Sequence, residues 1–404
     1  MKKGELKKIA IENGILDNSK RPEVTSVFII DHEKIRQSYK LFTESLPRVQ
    51  AYYAVKANSE ERIVKTLFEM GASFDVASLD EFDLVRRIIA HLSPEEQNDF
   101  IWDKIIYAHP IKSEATLMGL NQYKPLVVFD TEDEVEKIRD FAPSSGLILR
   151  IDVPNTGSQV NLSSKFGADP GKAVNLIEKA IEKGLNVEGL SFHVGSQCGN
   201  FENYVEALKR SHDIFEEAKS RGIKIGACKK GETRKQLDIG GGFPIRYNRS
   251  SGKFEELAGI LNSELDRLFS QGEYDILAEP GRFLVANACT LVSKVIGKAE
   301  RDGKPVYYIG NGVYFEYSGQ VYDHCRYPVR ALDEGEEGDK GELEICTVFG
   351  PTCDGFDKVS ETARLPRNLQ RGDIVFSEKM GAYTTGSSSN FNSLRGTKIV
   401  NINL

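Results

Sequence analysis

An eightfold alternation of short apolar runs with amphipathic segments, between residues 35 and 282, restricts this chain more than any other feature. The runs fall at 50–56, 73–76, 105–109, 126–130, 147–151, 188–193, 236–240 and 274–279. Each is β-branched or aromatic and too short for a helix, so each reads as a buried strand. The segments between them carry helical periodicity. The clearest is the stripe Ala173, Leu176, Ile177, Ala180 and Ile181, which Gly184 ends. Thr131 with Glu134, and Ser78 with Glu81, have the spacing of capping boxes. Eight strand–helix units of this length predict a (β/α)8 barrel rather than an open sheet.

At 404 residues the chain is too long for one ordinary core. After Arg282 strand-like runs recur without helices, at 289–297, 305–309, 343–349, 373–377 and 397–403. The expected fold class is therefore α/β plus all-β: a barrel over 35–282 that binds a cofactor, and a β-sandwich or barrel domain. The β domain is expected to be discontinuous, 1–34 with 283–404, because the run Thr25–Ile30 is free to join its sheet. The acidic, glycine-rich stretch 333–341 reads as a surface loop.

Several function classes are excluded at this level. The charge balance of 53 basic against 60 acidic residues gives −7, which argues against a nucleic-acid or anionic-membrane surface. No apolar run approaches a membrane span, and no apolar stretch follows the charged N-terminus to make a signal peptide. Six scattered cysteines, with no paired spacing, suggest neither a metal site nor a disulfide framework. A reducing, cytoplasmic location is expected.

The strand ends carry the chemistry. They read Lys56, Asp75, His109, Asp130, Arg150, His193, Gly240 and Glu279, at the rim where such barrels bind ligands. Asp130 and His109 read best as local hydrogen-bonders. A strand-end lysine ordinarily packs its stem and sends its ammonium to water; when buried, it becomes an amine able to attack a carbonyl. Gly240, Gly241 and Gly242 follow strand seven, where a backbone cradle for phosphate is common. Arg282 and Ser196 add a charge and a hydroxyl for the same group. Glu279 is placed to hold a protonated ring nitrogen, although an ion pair with Arg282 is the plainer alternative. His193 is either a satisfied core histidine or a flat ring for stacking. Schiff-base lysine, phosphate cradle, ring-nitrogen carboxylate and stacking ring together specify pyridoxal 5'-phosphate.

The chain resembles the barrel-type (fold-type III) pyridoxal-phosphate decarboxylases, and within them the eukaryotic-type ornithine decarboxylases. The matching stretches are YYAVKAN (52–58), FDVAS (74–78), SSKFGA (163–168), SFHVGS (191–196), LDIGGGFP (237–244), AEPGRF (278–283), VYDH (321–324), GPTCDGFD (350–357) and MGAYT (380–384). The resemblance implies that Lys56 carries the cofactor, with Asp75 beside it. It implies that His193 stacks, Glu279 binds the ring nitrogen and Arg150 lines the pocket. Ser196, Gly240, Gly241, Gly242, Gly281, Arg282 and Tyr383 would hold the phosphate. Asp323, Tyr322, Asp354 and Phe391 would meet the substrate, and Cys353 would be the proton donor. A homodimer is implied, Cys353 and Asp354 coming from the partner subunit and Lys165 pairing with Asp357 across the interface.

The expected activity is decarboxylation of L-ornithine or L-lysine to putrescine or cadaverine, a step of polyamine biosynthesis. Diaminopimelate decarboxylase is the alternative, since Gln197 departs toward that family while Cys353-Asp354-Gly355-Phe356-Asp357 departs from it. A racemase would be expected to have arginine in place of Glu279. A non-catalytic regulatory homologue, like the antizyme inhibitors, would be expected to have lost cofactor residues that remain here. An insertion at 227–235 lengthens the approach to strand seven.

Overall fold

The computed structural model describes residues 1–19, 23–159, 164–229, 232–247, 253–332, 342–394 and 396–404. The acidic stretch 333–341, Ser163 and residues 230–231 of the insertion lie outside them. The chain forms two compact units, Arg36–Leu284, and Met1–Ile35 with Val285–Leu404.

The first unit is a closed barrel of eight parallel strands. In chain order these are Val49–Ala54, Ser73–Val76, Ile105–Tyr107, Leu126–Phe129, Gly146–Arg150, Asn186–Ser191, Glu232–Asp238 and Tyr274–Ala278. Closure comes from the last strand, which pairs with both Glu232–Asp238 and Val49–Ala54. Inward side chains from successive strands, among them Tyr52, Ile106, Leu126, Val128, Ile148 and Leu277, fill the interior as a buried cluster. Each large aliphatic buried this way contributes about 1.5–3 kcal/mol.

The helices follow the sequence signals with instructive exceptions. Ala173–Glu182 buries Ala173, Val174, Leu176, Ile177 and Ala180, and the chain turns at Gly184 with φ +82°. Ser78 caps Leu79–Ile89 by accepting from Glu81 N, but the Glu81 carboxylate takes the Ala77 N–H instead of returning to Ser78. Thr131 likewise caps Glu132–Phe141, while Glu134 turns into a buried ion pair with Lys112. A complete capping box lies elsewhere, at Ser93 and Glu96. Within the insertion, Ala227–Lys229 pairs antiparallel with the start of Glu232–Asp238.

The second unit is a β fold built around the long strand Cys289–Arg301. Ser26–Asp31 does join this sheet, antiparallel to Cys289–Arg301 and parallel to Thr397–Ile402. The strand Lys358–Pro366 was not expected; its alternating buried and exposed residues include enough charge to hide it as a loop. The N-terminal helix Lys3–Glu12 packs Leu6 and Ala10 against Val27, Ile29, Val292 and Phe376 of the sheet.

Candidate active site

Most rim residues lie just beyond the strands rather than in them. Lys56 belongs to the 3-10 turn Val55–Ala57 that follows Val49–Ala54, not to the strand itself. The Tyr53 hydroxyl donates to Asn58 O at 2.8 Å across that turn. The Lys56 ammonium is ion-paired with Asp75, whose side chain is fully buried in the neighbouring strand. The lysine side chain is 38% exposed although its ammonium meets a fully buried carboxylate. A buried carboxylate that holds an ammonium fixes the amine's position.

His193, just past Asn186–Ser191, accepts the Gly195 N–H on Nδ1 at 2.9 Å. That bond puts the ring proton on Nε2. Burial holds the imidazole well below its ordinary pKa, and Arg150 and Lys56 push it further in the same direction. The ring is thus a neutral, flat surface.

Glu279 follows the eighth strand and donates its N–H to Gly240 O at 2.8 Å. Its carboxyl is pushed well above the carboxylate range, first by burial, then by Asp238 and Asp75. Asp238 is raised to about 6 by burial, against the pull of a Gly240 N–H bond of 2.8 Å. The negative charge of Asp238 thus helps to keep Glu279 protonated. Asp238 does not stand out in the sequence, because the glycines after it carry the stronger signal. Its strand, Glu232–Asp238, is mostly polar, so one more carboxylate at its end is not conspicuous.

The glycine run makes a cradle that side chains would fill. Gly240 and Gly242 have φ +65° and +97°. A Cβ on Gly240 would strike Phe192 O, and one on Gly241 would lie 2.8 Å from Glu279 O and 3.0 Å from His193 Nε2. Nearby, Arg282 donates to Ser196 Oγ at 2.9 Å and to the Tyr247 hydroxyl at 3.1 Å. Gly281 precedes Arg282 in the same turn. Tyr247 sits in an irregular loop where no periodicity could mark it. Gln197 acts structurally. Its amide exchanges two bonds with the Ile245 backbone, 2.7 and 3.1 Å, tying two rim loops together.

Arg150 ends the fifth strand with its guanidinium 5.3 Å from the Phe166 ring. Burial lowers its pKa, opposed by Glu279, Asp130 and other carboxylates around it. His109 bonds locally, to Ile111 O, whereas Asp130 accepts from Gly167 N across the rim, 37 residues away in sequence. Lys165 is exposed, its ammonium 4.9 Å from the Phe166 ring.

The remaining candidates belong to the β unit. Cys353 is exposed in the loop after Leu343–Phe349. Asp354 accepts from the Tyr314 hydroxyl and from Phe356 N at 3.0 Å, and these bonds hold its carboxyl below the usual range. Tyr314 stacks on Phe391 with ring centroids 4.4 Å apart. Both rings, with Tyr322 and Phe356, line a cavity of about 290 Å³. Asp323 is 6% exposed and accepts the Cys325 thiol at 3.1 Å. Tyr383 has a left-handed backbone, φ +56°, and accepts Ser387 Oγ at 3.1 Å. Asp357 is 1% exposed, its carboxylate taking the N–H groups of Val313 and Thr352 at 2.9 and 3.0 Å.

Residues 32–286 match the family described as pyridoxal-dependent decarboxylase, pyridoxal binding domain. The chain belongs to that family. It is 35% identical to antizyme inhibitor 2 of Xenopus laevis, over 99% of this chain and 86% of that protein. It is 35% identical to the ornithine decarboxylase of Candida albicans, over 94% and 83% of the two chains. The structure of the lysine/ornithine decarboxylase of Vibrio vulnificus, complexed with putrescine, superposes with a TM-score of 0.82 at 33% identity, covering 97% of each chain. The cofactor of the family is pyridoxal phosphate, and the barrel rim suits it. A cradle without Cβ atoms, backed by Arg282 and Ser196, fits a phosphate dianion. Glu279 fits a ring nitrogen, and neutral His193 fits a ring face.

Proposed function

We propose that this protein decarboxylates a basic L-amino acid, ornithine or lysine, releasing CO2 and the corresponding diamine. The observation that carries this reading is the barrel rim, where the Lys56–Asp75 pair, the Glu279–Asp238 pair, neutral His193 and the glycine–arginine cradle converge. Pyridoxal phosphate held there supplies an electron-poor ring that takes up the electron pair left when a carboxylate departs as CO2.

The chain's own residues do the rest. Asp75 orients the Lys56 amine. Glu279 keeps a proton at the ring nitrogen, and Asp238 adjusts how readily it does so. Gly240, Gly241, Gly242, Gly281, Ser196 and Arg282 hold the phosphate, with Tyr383 a further partner. Cys353 returns a proton to the substrate's α-carbon. Asp323 and Asp354 hold the distal ammonium, with Tyr322 and Phe391 flanking its methylenes; Asp at 323 suits an ammonium tail. One methylene separates ornithine from lysine, a difference of about 1–3 kcal/mol in a pocket, so dual specificity is a natural outcome.

The kinship with an antizyme inhibitor supports a second reading, a regulatory homologue without activity. The intact set Lys56, Asp75, Arg150, His193, Glu279 and Cys353 favours the enzyme. Product release from ornithine, lysine, arginine and diaminopimelate, measured side by side, decides between them. Ornithine or lysine should give diamine, and Lys56→Ala should give none. Turnover by Lys56→Ala, or a wild-type protein inert toward all four, would refute the reading.

A further inference from the structure

Asn392 sits one residue beyond Phe391, in a turn where its own backbone is left-handed (φ 54°, ψ 12°) and Ser393 follows at φ 57°. Asparagine tolerates that conformation better than most residues with a side chain. Its side chain is used twice on one partner. The Cys353 backbone N–H lies 3.3 Å from Asn392 Oδ1, and the Cys353 sulfur lies 3.5 Å from the same oxygen. A backbone N–H can only donate, so the amide must present its oxygen there, and the thiol too must be the donor.

The surroundings make this more than a chance contact. Asp354, next to Cys353, is held by Tyr314, and Tyr314 stacks on Phe391, next to Asn392. The chain Cys353–Asp354–Tyr314–Phe391–Asn392 closes on itself through the Asn392–Cys353 bonds. One small circuit therefore couples the carboxylate assigned to the substrate's tail with the thiol assigned to its α-carbon. On the other side of Cys353, Thr352 N is held by Asp357.

We propose that Asn392 is a positioning residue: its amide oxygen aims the Cys353 thiol and so decides where the proton goes after CO2 leaves. The proposal rests on the decarboxylase reading. Loss of CO2 breaks the bond from Cα to the carboxylate and leaves its electron pair behind. A proton from Cys353 Sγ converts that pair to a C–H bond, the product is the amine, and the thiolate recovers a proton from water. If the proton arrives at the cofactor's carbon instead, water adds at Cα, an aldehyde leaves, and the nitrogen stays on the cofactor as its amine form.

Two variants separate aim from folding. Asn392→Gly accepts the left-handed backbone without strain and removes the acceptor; Asn392→Asp keeps both the conformation and an acceptor oxygen. In the cofactor-loaded enzyme, the aldehyde-to-amine ratio should rise about tenfold in Asn392→Gly, a fraction of what a positioned proton donor contributes. In Asn392→Asp it should stay within about twofold of wild type, since an acceptor remains. In cofactor-free protein, alkylation of Cys353 by iodoacetamide, followed by the mass of its peptide, should quicken severalfold in Asn392→Gly because both bonds are lost. An unchanged ratio and alkylation rate in Asn392→Gly would overturn the proposal, as would an equal rise in Asn392→Asp. If wild-type protein releases no CO2 from any basic amino acid, the decarboxylase reading fails, while the alkylation measurement still decides whether Asn392 governs Cys353.

Discussion

Asp238 and Glu279 show how a single residue can set the chemistry of its neighbour. Two buried carboxyls that feel each other's charge cannot both ionise without mutual repulsion, so the folded protein favours a proton that the unfolded chain releases. Asp238 rises from 3.8 to about 6. A raised pKa contributes stability that is complete below the unfolded value and is lost as pH rises through the folded one. In cofactor-free protein, Asp238→Asn should therefore gain melting temperature relative to wild type as pH rises from about 4 to 7. A difference that stays flat across that window would mean that burial does not raise Asp238. At the substrate's far end, Asp323→Ala should raise KM for the diamino acid about tenfold or more while changing kcat less, through loss of a charge partner. Steady-state kinetics with ornithine and lysine would test this, and an unchanged KM would move the tail-binding role to Asp354 alone.

At the scale of elements, the barrel wall is stapled by a lysine that takes no part in the chemistry. Lys112 is fully buried between the strands Ile105–Tyr107 and Leu126–Phe129. It bonds Pro110 O at 2.7 Å, Val128 O at 2.6 Å and Glu134 at 3.0 Å, and burial draws its pKa down to about 8. Lys137 pairs with the same glutamate from its own helix. Removing one partner of a buried pair commonly costs about 3–5 kcal/mol, because a charge is left uncompensated. Since Lys137 remains to neutralise Glu134, Lys112→Met should cost less, about 2–3 kcal/mol. Chemical denaturation would read this as a lower midpoint with an unchanged slope. A neutral result would mean the site tolerates apolar packing as well as it does charge.

At the scale of the whole molecule, the assigned residues are divided between two units, with the cofactor set, apart from Tyr383, on the barrel and Cys353, Asp354 and Asp323 on the β fold. If each site joins one subunit's barrel to its partner's β loop, Lys56→Ala and Cys353→Ala fail for different reasons. Mixed after subunit exchange, half of the dimers would carry both variants, each with one intact site, and about a quarter of wild-type activity should return. No recovery would place both residues in the same protomer's site. The sequence by itself determined the barrel, because eight apolar runs of strand length, separated by helical stripes, have few other ways to bury their surfaces. It also determined the cofactor class, because Lys56, the triple glycine, Glu279 and Arg282 stand at strand ends that any closed barrel brings to one rim. Only the tertiary structure decided which polar groups face one another. Asp238 against Glu279, Glu134 turned to Lys112 instead of its helix cap, Tyr247 on Arg282 and Asn392 on Cys353 join residues distant in sequence or set in irregular loops. Such contacts leave no period in the sequence, since buried charges and loop side chains are placed by what packs around them.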